Sequence, residues 1–304
     1  MTPIRLLLTG ANGFVGSYVC RAVEAGEFVA NEIVAPPVGW EIRDQAQVAS
    51  LVAQARPHMV LHLAAQSFVP RSFEDPRETY EINVLGTLNL LLALKQEKFS
   101  GRMVYVSSGD VYGQVLDTAL PVNENLLPEP RSPYAASKIA AEELCLQWRR
   151  SDGLDVVIAR PFNHVGPGQS ERFVLPSLAK QIVAIRRGTQ PPRIEVGDID
   201  TTRDFTDVRD VVAAYDAIFR KGASGSKYLI ASGQERCVRD ILVQMMDISG
   251  TDVDIHQDTT RFRPAEQRRM VGDASLLRDE TGWAPRIPFT QTVSDLIEYA
   301  KSKI

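Results

Sequence analysis

Along the first 165 residues, short apolar runs without polar alternation are interleaved with stretches of helical periodicity. The runs are IRLLLTG (4–10), IVA (33–35), HMVLHLAA (58–65), RMVYVSS (102–108) and DVVIARPFN (155–163). Helical spacing covers about 13–26, 44–55, 80–98 and 133–150. A strand that is apolar on consecutive residues has to be buried on both faces, and helices are the usual cover. The pattern therefore predicts an α/β fold built on a doubly wound parallel sheet.

The rhythm changes after Asn163. HVGPGQ is rich in turn formers, a helix is predicted over about 173–187, and TTRDFTDVRDVVAAY leads into another helix. KYLIAS reads as a sixth strand, and DVDIHQ as one isolated strand among small helices. Residues 1–165 are expected to form one domain, to which about 198–232 returns, and 166–304 to form mostly a smaller C-terminal substrate lobe.

Bulk properties narrow the function. A net charge of −4 gives no reason to expect nucleic acid or an anionic membrane as partner. Cys20, Cys145 and Cys237 are far apart and odd in number, which fits buried thiols better than disulfides or a metal site. The start, MTPIRLLLTG, has too short an apolar run for a signal peptide, and no run reaches the length of a membrane span. A cytoplasmic protein is expected.

Three motifs carry chemistry. TGANGFVG puts Gly10, Gly13 and Gly16 between a strand and a helix start, where backbone N–H groups and the helix N-terminus receive a pyrophosphate. YAASK places Tyr134 and Lys138 on one helical face, so that a lysine ammonium is expected to favour the phenolate. SSGDVYG, at 107–113, ends the fourth strand, and open α/β sheets bind ligands at that end. Ser108 is thereby set to hydrogen-bond a substrate oxygen beside Tyr134.

Together these motifs resemble the extended short-chain dehydrogenase/reductase family over nearly the whole chain, which implies a Rossmann-type domain and a nicotinamide cofactor, NADPH or NADH. The resemblance implies that Tyr134 exchanges the proton, Lys138 holds the ribose and tunes the phenol, and Ser108 polarises the carbonyl. It places Gly10, Asn12, Gly13, Phe14, Val15 and Gly16 on the cofactor, with Glu41 and Ile42 at the adenine. Leu63, Ala64 and Ala65 line the cofactor, Asn83 matches a structural asparagine near the catalytic helix, and Pro161 and Phe162 back the nicotinamide. Ser67, Asp110, Asn163, Arg203, Arg263 and Glu266 match substrate positions, the arginines suiting phosphate.

The segments LAAQSFV, RPFNHVGPGQ and RPAE look closest to family members acting on GDP-mannose and its 4-keto-6-deoxy derivative. The dehydratases among them use a Thr-x-Glu carboxylate to lift the C5 proton, and those with an Asp–Glu pair carry an acid at the middle position. Here the run is Ser108, Gly109, Asp110, with a shorter carboxylate and no acid in the middle. The implied reaction is reduction of GDP-4-dehydro-6-deoxy-D-mannose to GDP-D-rhamnose. A GDP-mannose 4,6-dehydratase, a nucleotide-sugar 4-epimerase and a non-catalytic dinucleotide sensor are the alternatives. IVAPPVGW has neither the acid that favours NAD nor the base that favours NADP. The family often dimerises through its two long helices, here about 80–98 and 133–150.

Overall fold

A computed structural model describes residues 3–261 and 267–303. Its strands are β1 (Arg5–Thr9), β2 (Glu32–Val34), β3 (Met59–His62), β4 (Arg102–Val106), β5 (Asp155–Pro161), β6 (Asn163–Val165), β7 (Arg193–Val196), β8 (Thr202–Asp207), β9 (Lys227–Ile230), β10 (Glu235–Cys237) and β11 (Asp254–Gln257). Six form a parallel sheet in the order β2-β1-β3-β4-β5-β9. The α/β, doubly wound class stands as read. Strand order reverses direction at β1, so the carboxyl ends of β1 and β3 flank the switch-point crevice.

The apolar runs have the cause expected of them. Leu6 and Leu8 point into a core with Val104 and Val157, covered by the helices Phe14–Glu24 and Val208–Lys221. Leu7 points the other way, into a core with Val60, Met103 and Ile158. The helices Gln45–Ala55, Gly86–Gln96 and Pro133–Asp152 cover that face. Each such buried leucine contributes roughly 1.5–3 kcal/mol relative to exposure.

The Pro133–Asp152 helix is fixed at both ends by its sequence. Ser132 caps it, its Oγ accepting the Ala135 N–H at 3.1 Å, Pro133 opens it, and Gly153 ends it in the left-handed region at φ +72°. The register that results sets Tyr134 and Lys138 against the end of β4.

Two elements differ from expectation. The helix over 80–98 is broken into Pro76–Tyr80, a π-helical turn Glu81–Leu85, and Gly86–Gln96. The wide turn holds the buried Asn83, whose amide binds neighbours outside the helix. DVDIHQ is not isolated: β11 pairs in parallel with β7, whose four residues follow a Pro-Pro pair and alternate polar with apolar over one short run. Separately, β8 lies between β6 and antiparallel β10. The C-terminal helices Val174–Arg186, Val238–Ser249 and Phe289–Lys303 build a further core around Leu178, Ile182, Leu242 and Leu296. No helix among the described residues is long and apolar enough to cross a membrane.

Candidate active site

The glycine segment joins β1 to the Phe14–Glu24 helix. Gly10 turns at φ +77°, and a Cβ there would lie 3.0 Å from the Ala64 nitrogen, so the turn rests directly on the backbone after β3. A Cβ at Gly16 would overlap the Gly10 carbonyl oxygen and come within 2.7 Å of Ala11 Cα. Gly13 starts the helix with no side-chain cap, and the first turn holds no acidic residue. The leading N–H groups are thus left for an external acceptor. Asn12, Phe14 and Val15 belong to this turn.

Leu63, Ala64 and Ala65, all partly buried, form the opposite lip. The Ala64 N–H donates to Thr9 Oγ1 at 3.2 Å, and Thr9 Oγ1 lies 2.6 Å from His62 Nδ1. His62 Nε2 meets Thr87 Oγ1 at 3.0 Å, and burial, then Lys138, pulls its pKa down to about 3. This neutral imidazole stitches β1, β3 and the Gly86–Gln96 helix together, a role the sequence did not signal. Asn83 Oδ1 accepts the Gln66 N–H at 2.8 Å, and its Nδ2 donates to Gln66 O and to Ser137 Oγ at 2.9 Å. Asn83 therefore ties the β3 loop to the helix of Tyr134. Ser67, next along, is exposed.

At the end of β4 the structure brings Ser108, Tyr134 and Lys138 together. Ser108 lies close enough to the Tyr134 phenol to lower its pKa, and the Asp110 N–H donates to Ser108 Oγ at 3.1 Å. Lys138 is buried, with Nζ 5.9 Å from the Tyr134 ring centroid and donating to Val106 O at 2.9 Å. Burial pulls Lys138 down to about 8, against the pull of Glu142. Burial, with Asp110 second, pushes the Tyr134 phenol up, opposed by Ser108. The expected push toward phenolate is therefore reversed: the ammonium is engaged by a carbonyl, and desolvation dominates. Asp110 itself is exposed, in the 3-10 turn Gly109–Tyr112. Ser107 Oγ, beside Ser108, is buried without a hydrogen-bond partner among the described residues.

Phe162 follows β5 and is 5% exposed. One side of its ring packs against two glycines. A Cβ on Gly109 would lie 3.0 Å from Phe162 Cδ2, and one on Gly272 2.9 Å from Cε2. Asn163 begins β6 and is exposed, pairing with Phe205 of β8. Arg203 lies two residues earlier on β8, partly buried, its guanidinium donating to Thr202 O at 2.8 Å. Pro161 pairs with Ile230 of β9. At the far side of β1, Glu41 is held by Arg43 at 2.6 Å, which lowers its pKa, and the buried Ile42 has its carbonyl bound by Asn89. Arg263 and Glu266 lie outside the described residues.

The crevice fits a dinucleotide by its glycine cradle, its uncapped helix start and the orphaned Ser107 hydroxyl. A fold with that crevice and a phenol–serine pair at its rim belongs to the nicotinamide-dependent oxidoreductases of the extended short-chain dehydrogenase/reductase class. Within that class the chain belongs to the GDP-mannose 4,6-dehydratase family, whose family model matches residues 37–296. It is 45% identical over 300 residues to the GDP-6-deoxy-D-mannose reductase of Pseudomonas aeruginosa, covering 99% of this chain and 98% of that protein. It is 31% identical to a dTDP-glucose 4,6-dehydratase of Streptomyces antibioticus, over 97% of this chain and 92% of the relative. A solved structure of RMD from Pseudomonas aeruginosa complexed with NADPH superposes with a TM-score of 0.92 at 45% identity, covering 99% of both chains.

Proposed function

We propose that the chain reduces the 4-keto group of GDP-4-dehydro-6-deoxy-D-mannose with NADPH or NADH, yielding GDP-D-rhamnose. The observation that carries this reading over dehydration is the packing of Gly109. A dehydratase of the acid-pair type needs a carboxyl side chain there, and a Cβ at Gly109 would lie 3.0 Å from the buried Phe162 ring, which would have to give by a few tenths of an ångström. The neighbouring carboxylate, Asp110, is exposed and one methylene shorter than a glutamate base. The pair at the rim delivers a proton and stabilises an oxygen, and the carboxylate beside it, Asp110, is too short for the reach of a glutamate base at C5.

In this mechanism the cofactor supplies hydride to the sugar C4. Ser108 hydrogen-bonds the carbonyl oxygen, and Tyr134 gives its proton to that oxygen as charge develops on it. A phenol held neutral by burial is suited to be the donor in reduction. Lys138, charged below about pH 8, stabilises negative charge on the phenol after transfer and holds the ribose. Asn83 keeps the Tyr134 helix in register with the cofactor lip. Gly10, Asn12, Gly13, Phe14, Val15 and Gly16 hold the pyrophosphate, Ser107 the nicotinamide half, and Glu41 and Ile42 the adenine. Leu63, Ala64 and Ala65 line the cofactor, and Pro161 and Phe162 back the nicotinamide. Ser67, Asp110, Asn163 and Arg203 face the sugar nucleotide, and Arg263 and Glu266 are assigned to it from the sequence alone.

Residues 1–165 with about 198–232 act as the dinucleotide domain, and the remainder as the substrate lobe. The enzyme works in the cytoplasm as a homodimer, its apolar contacts coming from the exposed Tyr80, Leu85 and Leu92. A stoichiometry experiment tests the reading: one NADPH or NADH should be oxidised per 4-keto sugar consumed, with GDP-rhamnose identified by NMR. Consumption of sugar without cofactor oxidation would refute it.

A further inference from the structure

We propose that Asp204 is a positioning residue: by fixing Gly272 it sets the Phe162 ring against Gly109, and with it the wall behind the nicotinamide. The inference rests on the reduction proposed above for the role of that wall, and on geometry alone for the linkage.

Asp204 is fully buried in β8, on the three-stranded sheet of β6, β8 and β10. Its carboxylate nevertheless serves the end of the other sheet. Oδ1 accepts the Ser232 N–H at 2.7 Å and the Ser232 hydroxyl at 2.6 Å. Oδ2 accepts the Gly233 N–H at 2.9 Å and the Gly272 N–H at 3.2 Å. One carboxylate thus joins β8, the end of β9 and the 270–273 segment. Burial outweighs the four donors and leaves its pKa above the usual carboxylate range; the acceptor role is set by the geometry, in which all four contacts are donors directed at the carboxylate.

The consequence passes on by contact. Gly272 has no room for a side chain, its Cβ position lying 2.8 Å from Ala231 Cβ and 2.9 Å from the Phe162 ring. The same side of the ring meets Gly109, whose Cβ position would lie 3.0 Å from Cδ2 and 3.1 Å from Cε2. In a close-packed interior, a shift of a few tenths of an ångström at Gly272 has to move the ring. Phe162 then loses its fixed place next to the Ser108–Asp110 turn.

Asp204→Asn keeps the shape but turns one acceptor into a donor that faces N–H groups. We expect kcat to fall about tenfold or more, with the Kd for NADPH changed by less than about threefold, a misplacement effect on the reacting end. The fluorescence of bound NADPH, which reports the nicotinamide environment, should shift in parallel. Gly272→Ala, which leaves Asp204 intact and presses on the ring directly, should reproduce both changes, and adding Phe162→Leu should recover most of the lost kcat. Asp204→Asn that folds with a lower melting temperature but keeps wild-type kcat and NADPH emission would overturn the proposal. If that variant does not fold, unchanged kcat and emission in Gly272→Ala would do so. Should the wild type fail to oxidise NADPH with the 4-keto sugar, the reaction reading fails; the emission of bound NADPH in the variants still decides the linkage.

Discussion

Lys138 lies 5.9 Å from the centre of the Tyr134 ring and gives its hydrogen bond to the carbonyl of Val106, not to the phenol. Ser108 lies beside the phenol and burial holds it neutral, the state that the proposed reduction needs in its proton donor.

Tyr134→Phe removes the proton and keeps the ring. Turnover should fall by roughly 10²-fold or more, the scale of general acid catalysis. NADPH affinity measured by fluorescence titration should hold near the wild-type value. Near-normal turnover would remove Tyr134 from the chemistry.

Lys138 makes stability depend on pH. Its pKa falls from 10.5 unfolded to about 8 folded, so between those values the unfolded chain binds the extra proton and stability rises with pH. Below pH 8 the burial penalty is present in full, on the order of 3 kcal/mol. In the protein without cofactor, Lys138→Met should therefore melt higher than the wild type at pH 7. The gap should narrow from pH 8 towards 10. Melting curves that run parallel across that range would contradict the assignment.

Arg160 and Glu142 are each 1% exposed and form a two-pronged pair, with bonds of 2.9 and 2.6 Å, and Tyr112 adds a third bond to the guanidinium. They join β5 to the helix that carries Tyr134. Glu142→Ala strands a buried charge and should cost about 3–5 kcal/mol in urea unfolding. A loss under about 1 kcal/mol would mean that water reaches the site and replaces the carboxylate.

The central sheet was legible because residues such as Leu6, Leu7 and Leu8 are apolar on both faces, and only a covered parallel strand needs that. The Ser108, Tyr134 and Lys138 motifs were legible because each is contiguous in sequence. What escaped notice depends on long-range pairing. RIEV in β7 alternates polar with apolar but for only four residues after a Pro-Pro pair, and ERC in β10 is three residues with no period. Asp204 reads in TRDF as an ordinary charge, and only its four donors, 28 to 68 residues away, reveal it. The direction of the Tyr134 shift was misjudged because spacing shows that a lysine is near, while burial decides which protonation state wins.

Offering the purified protein each of two substrates in parallel tests the central claim most directly. One arm contains GDP-4-dehydro-6-deoxy-D-mannose with NADPH and follows the nicotinamide absorbance. The other contains GDP-mannose with the oxidised cofactor and looks for a 4-keto product. With no acid at Gly109, which packs tightly on Phe162, and Asp110 exposed and short, the first arm should consume NADPH and the second should yield little or no ketone. Rapid ketone formation from GDP-mannose, abolished by Asp110→Asn, would contradict the reductase and establish a dehydratase in its place.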